Sequence, residues 1–258
     1  MNTVTRSLAA PRPSMRAVLR PYIAELQAEL RRAWRTPAFA VPSLLFPVLF
    51  YLLFGVLLGR GHAPLYLLAT YCVFGAMAPA LFGFGVQLAL DREGGLLTLK
   101  RALPMPAAAP LMARLAMAVL FALLVAGLLV TVACTLGGVH LQAQQILQLL
   151  AVAALAALPL GAIGLLIGSH ASASAAPAMV NLVYLPLALL SGLWLPLSAL
   201  PKLFSTMAPL WPTWHLAQLA LPVVGQPAVG SIAGHLLVLL GVTVAALLLA
   251  RRRLRRVG

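Results

Sequence analysis

Side chains able to move a proton, hold a metal or attack a carbonyl are few in this 258-residue chain, and their spacing excludes most chemistry. The five histidines, His62, His140, His170, His215 and His235, are scattered, and no two share a helix at metal-ligand spacing. They read as interfacial or locally satisfied rings. Cys72 and Cys134 each lie in an apolar run without a neighbouring cysteine, so they are expected to be small buried side chains, neither disulfide partners nor metal ligands. Hydroxyls cluster at 169–174, where His170 is the one base and no acid completes a nucleophilic set. Lys100 and Lys202 follow Leu99 and Pro201, so the glycine-lysine pair of a phosphate-binding loop cannot be made. No catalytic, cofactor-binding or metal-binding residue is assigned. If ATP drives this protein, another polypeptide binds it.

The four acids, Glu25, Glu29, Asp91 and Glu93, all fall outside the long apolar runs. A proton- or cation-coupled carrier requires ionisable groups within the membrane, so that class is disfavoured. Charge-free stretches cover 36–59, 61–90, 115–201 and 203–250, and the chain is 62% hydrophobic, so the protein belongs in a bilayer. The net charge of +14 comes from basic residues flanking apolar runs, not from a compact basic domain, which argues against nucleic acid as a partner. The first apolar run starts too late, near residue 38, to be a cleavable signal peptide.

Six crossings are expected at about 38–59, 64–90, 107–138, 146–168, 175–196 and 230–250. With both termini inside, sixteen basic residues lie on the cytoplasmic side and only Arg60 and Lys202 outside. Before the first crossing, Leu19, Ile23, Leu26, Leu30 and Ala33 recur at helical spacing among charged residues, which predicts an amphipathic surface helix ended by Pro37. The fold class is therefore an all-α integral membrane protein. A cytoplasmic segment occupies 1–37, a six-helix domain 38–250 and a basic tail 251–258. Arg114, near the inner end of crossing three, is expected to snorkel to water.

Two connections are more than turns. DREGGLLTLKRALPMP, 91–106, places Asp91 and Glu93 at the start of a short helix, where backbone N–H groups favour negative charge, and ends it with Pro104 and Pro106. Leu96, Leu99 and Leu103 share one face with Ala102, and Glu93, Lys100 and Arg101 lie on the other. The leucines can rest on the protein's own core and leave the charges to a partner, or can themselves supply the close approach; which face meets the partner stays open. The segment 195–227 is too apolar for a solvated loop and too rich in proline for one helix. It reads as two short re-entrant helices in the outer leaflet, the second capped by Thr213. Trp194, Trp211 and Trp214 there suit an interfacial belt or, alternatively, a gate.

The first connection resembles that of ABC-2 type transporter membrane subunits, with an acid, glycine, leucine and proline matched by Glu93, Gly95, Leu97 and Pro104. Leu96, Thr98 and Leu103 depart from the usual pattern. Ser191, Gly192, Trp194 and Pro196 resemble the family's motif after crossing five, and the resemblance spans about residues 15–250. It implies a permease subunit of an ATP-driven exporter in the bacterial inner membrane. That subunit pairs with a second permease, identical or paralogous, and with two copies of a cytoplasmic ATPase that binds ATP and Mg. Asp91, Glu93, Gly95, Leu97, Lys100, Arg101 and Pro104 are then the ATPase-coupling residues, with Glu25, Glu29 and Arg32 as a second contact. Gly192, Trp194, Pro196, Trp211 and Trp214 are then expected in the outer re-entrant segment or gate, and Gln87 and Asn181 are expected to line the pathway or the dimer seam or to bond a neighbouring helix. An uncharged cavity suits an amphipathic drug, antibiotic, lipid or glycan-type substrate. The alternatives are a non-transporting membrane scaffold and a lipid-modifying enzyme.

Overall fold

The computed structural model describes residues 15–257 apart from 60, 62, 104 and 107; the side chains of 15–18, 101, 256 and 257 are also outside the described part. Every regular element among the described residues is helical. In chain order these are α1 (Met15–Arg35), α2 (Pro37–Leu57), α3 (Ala63–Glu93), α4 (Leu96–Ala102), α5 (Ala109–Thr135), α6 (Ala143–His170), α7 (Ala176–Leu189), α8 (Lys202–Met207), α9 (Pro212–Ala220) and α10 (Ile232–Val257).

Five of these, α2, α3, α5, α6 and α10, are long and apolar enough to cross a membrane. The fifth expected crossing, 175–196, is shorter than its sequence suggested. At 14 residues α7 spans about 21 Å at 1.5 Å per residue, and the chain turns at Gly192 instead of continuing to 196. The sharp turn needs a positive φ, which Gly192 supplies at 80°, and a Cβ there would meet Leu197 Cγ at 2.8 Å.

The break at Thr36 separates α1 from α2, and Pro37 occupies the first turn of α2, where its missing N–H costs nothing. Wider π-type winding over Tyr51–Leu57 ends α2 and leaves Tyr51 fully buried, its hydroxyl donating to the Pro64 carbonyl at 3.2 Å.

Helix α3 is central. It is buried through most of its length and packs on α5, α6 and α7. Its closest approach is to α6, where backbones nearly touch: a Cβ on Gly168 would lie 2.3 Å from the Gly85 carbonyl oxygen. Small residues suit this contact because lipid supplies no hydrophobic drive between helices, so stability comes from close van der Waals packing. Helix α10 lies at the edge, against α6 and α9, with Leu236, Leu237, Leu240, Leu247, Leu248 and Leu249 exposed. Cys72 is buried as expected, whereas Cys134 is exposed on α5, because α5 turns that face away from the bundle.

Candidate functional site

The charged residues converge at one end of the bundle. Three charged side chains of α1, Glu25, Glu29 and Arg32, are spaced four and three residues apart and so share a face, and that face turns inward. Opposite it, Asp91 ends α3 and Arg114 begins α5. Arg114 Nη2 donates to Asp91 Oδ2, and Arg114 Nε lies 3.5 Å from Glu29 Oε1. Arg32 joins the same set, 3.5 Å from Glu29 and 3.6 Å from Asp91, while donating to Gln87 Oε1 at 3.2 Å. Two arginines thus meet two carboxylates, and the group is electroneutral. Such pairing is what makes burial of Glu29, Asp91 and Arg114 tolerable.

Arg114 does not snorkel to water. It is 5% exposed, because two carboxylates draw the guanidinium inward. Gln87, expected at the pathway or seam or in a bond to a neighbouring helix, accepts from Arg32 of α1.

Helix α4 is fastened from behind. Gly95 holds a left-handed φ of 71°, which lets the chain turn from α3 into α4 without side-chain strain. Leu97 packs toward the core, and Lys100 Nζ bonds Glu25 Oε2 of α1 at 2.6 Å. This settles the facing within the chain: Leu99 and Leu103 are 59% and 49% exposed, together with Thr98, while Lys100 is spent internally. The reason is electrostatic: the nearly buried Glu25 captures the lysine, and that choice rotates the leucines outward. Pro104 and the side chain of Arg101 lie outside the described residues.

The α6–α7 turn is pinned to the same end. Glu93 accepts from the Ala173 N–H at 2.9 Å, and Arg92 donates to the carbonyls of Ser169 and Ala171. Ser169 Oγ and His170 Nδ1 lie 3.0 Å apart, yet both also face the Leu166 carbonyl, and no carboxylate orients the ring. Nothing there amounts to an activated nucleophile.

At the opposite end, the segment after α7 folds back on the bundle. The Tyr66 hydroxyl donates to the Gly192 carbonyl at 2.8 Å and the Tyr71 hydroxyl to that of Trp194 at 3.2 Å, so α3 fixes the turn. Trp194 then stacks on Phe50 of α2, with ring centroids 6.1 Å apart. Trp214 is buried, and the indole N–H groups of Trp194 and Trp211 are buried without a partner among the described residues. These rings pack inside the protein more than they face an interfacial belt. Pro196 and Trp211 flank short 3₁₀ turns around α8. Thr213 is not a cap: α9 starts at Pro212, and the Thr213 hydroxyl donates to the Leu187 carbonyl at 2.8 Å, tying α9 to α7.

Asn181 stands exposed on α7 beside a groove of about 210 Å³ lined also by Pro42, Phe46, Phe82 and Tyr184. One feature at this opposite end was not legible from spacing. His215 of α9 and His235 of α10, 20 residues apart, meet with their Nδ1 atoms 2.8 Å from each other. A helical-period search cannot detect a pair contributed by two helices.

The ABC-2 type transporter family model matches residues 22–223, well over half of the chain. The chain belongs to the ABC-2 type transporter family. This makes it a multi-pass membrane protein of a transport family, as the five long apolar helices require. A relative in Bacillus subtilis (strain 168), named "Putative transport permease YvfS", is 24% identical over 194 residues, which cover 73% of this chain and 79% of that protein. The ABC-2 match begins within α1 and reaches the 3₁₀ turn after α9, so it takes in both the charged end and the folded-back segment.

Proposed function

We propose that this ABC-2 chain is the membrane subunit of an ATP-driven exporter and that α4 is its contact with a separate ATPase. The observation that carries this reading is the asymmetry of α4. Its inner side is fixed to the bundle by Leu97 and by the Lys100–Glu25 ion pair, while Thr98, Leu99 and Leu103 stand bare at the most charged end. A helix that is stiffly backed and apolar outward suits a groove on another protein, because a contact transmits a bias only through its differential fit to two states. ATP and Mg belong to that partner.

On this reading the charged end and both termini face the cytoplasm across a bacterial inner membrane, an orientation that the excess of basic residues flanking these segments supports. Helix α7 and the turn at Gly192 then supply the fifth of six crossings, and the segment with α8 and α9 dips into the outer leaflet. Glu25, Glu29 and Arg32 act as struts behind α4, a change from the direct ATPase contact expected of them. Exposed Asn181 beside the α2–α3–α7 groove favours a seam or pathway shared with a second permease, since an amide facing lipid would go unpaired. The groove's aromatic and proline lining suits an amphipathic substrate.

The test is co-purification with transport. Leu99→Glu should leave the chain in the membrane but abolish ATPase retention and export. Full retention and export by this variant would refute the docking role of α4.

A further inference from the structure

The histidine pair plays no part in the function proposed above, and its geometry requires a proton that two neutral rings cannot provide. His215 Nε2 lies 2.9 Å from the Pro209 carbonyl and His235 Nε2 lies 2.8 Å from the Val229 carbonyl. A carbonyl only accepts, so both Nε2 atoms carry hydrogen. The two Nδ1 atoms are 2.8 Å apart, and that contact needs a hydrogen as well. Three contacts need three N–H groups. Two neutral imidazoles have two, and one imidazole with one imidazolium has three.

We propose that His215 and His235 together bind one proton, carried by His235 and shared with His215 Nδ1, and that this proton clasps α9 to the start of α10. The surroundings fit that charge state. Trp214 lies nearly perpendicular to both rings, with centroids 5.0 Å from His215 and 5.5 Å from His235, and packs the pair away from open space. Gln218, one turn after His215 on α9, accepts from the Val229 N–H at 2.8 Å and so holds the carbonyl that receives His235. Gly230 leaves room for the ring, since a Cβ there would sit 3.1 Å from His235 Cε1 and Nε2.

A second proton is opposed. Burial pushes His215 below its ordinary value; the Pro209 carbonyl partly offsets this, and charge on His235 adds to the depression. Among the described residues, no other charged side chain is hydrogen-bonded or ion-paired to either ring. The helices packed on α9 and α10 are α3, α6 and α7. The acids and Arg92 of α3, His170 of α6 and the arginines of α10 lie at the far ends of those helices, and α7 has no ionisable group except Tyr184. Tyr66 and Tyr71 of α3 are the near titratable groups, and their hydroxyls are committed to Gly192 and Trp194.

The pair therefore works as a proton-dependent clasp on the folded-back segment. With one proton all three contacts close. Without it one contact lacks its hydrogen, and with two protons like charges meet at 2.8 Å. This inference stands apart from the transport reading, because it concerns a proton count that any role of the chain would leave unchanged.

The test uses the full chain in lipid nanodiscs with ¹⁵N-labelled histidine. At the acid-to-neutral end of a titration over about pH 5 to 9, which brackets imidazole ionisation, the pair should show three ring N–H groups and a coupling across Nδ1–H···Nδ1. Raising the pH should remove one N–H and, at the same point, lower amide protection of residues 229–235 roughly tenfold relative to His235→Gln at matched pH. Two N–H groups at every pH, or protection that ignores the titration, would overturn the proposal. The wild-type titration decides the proton count even if His235→Gln fails to fold, and His215→Gln provides a second reference.

Discussion

Replacing Arg114 by Met tests the buried charge cluster that backs α4. The guanidinium is 5% exposed and contacts both Asp91 and Glu29, themselves buried, so its loss leaves two buried carboxylates with Arg32 alone between them. Breaking a buried ion pair by removing one partner costs roughly 3–5 kcal/mol. Arg32 still reaches Asp91 at 3.6 Å and Glu29 at 3.5 Å, which places this case at the lower end, about 3 kcal/mol. For a chain of this size about 2–4 °C is lost per kcal/mol, so the apparent Tm in nanodiscs should fall by about 6–12 °C. The companion variant Arg114→Met with Asp91→Asn removes one stranded charge and leaves the Glu29–Arg32 pair intact. It should recover about half of the loss, since contacting residues couple non-additively. A single variant within about 2 °C of the parent, or a double variant worse than the single, would refute the reasoning that pairing is what permits burial here.

Three further outcomes follow from separate parts of the molecule. Gly168→Val places a side chain against the Gly85 carbonyl, 2.3 Å from the new Cβ, so it should separate α3 from α6 and cut the yield of folded chain several-fold in a size-exclusion assay. His215 is held below the ordinary imidazole value by burial, so the folded state favours its neutral form. Its contribution is full above the unfolded value, about 6.5, and is lost as the pH falls; the Tm of the wild type should therefore drop more steeply below about pH 6.5 than that of His215→Gln. Asn181→Leu removes the exposed amide beside the α2–α7 groove; it should leave Tm unchanged while weakening association between permease copies, as read by cross-linking in the membrane.

Five of the six expected crossings coincide with helices long and apolar enough to span, because charge-free runs and bilayer thickness leave little choice, and Pro37 marks the start of the first. The fifth was misjudged in length: hydropathy continues smoothly through Leu190 to Pro196, while the backbone reverses at Gly192 under contacts from Tyr66 and Leu197 that no local pattern encodes. The short helix after α3 was recognisable in the sequence, opened by Gly95 and closed before Pro104. Its facing was not, since a helical projection divides α4 into two sides without saying which side Glu25 will claim. Arg114 was misread for the same reason: its partners lie 23 and 85 residues away in sequence. The histidine clasp lay beyond any single-helix spacing rule, as its halves come from α9 and α10.

The outward leucines of α4 are where the account is most exposed. A photo-cross-linking residue at Leu99, in the chain expressed in its native cells, should capture a P-loop ATPase, whereas the same residue at Leu97 should capture none. Capture from Leu97 in place of Leu99, or from neither position while export persists, would contradict the assignment of α4 as the docking helix.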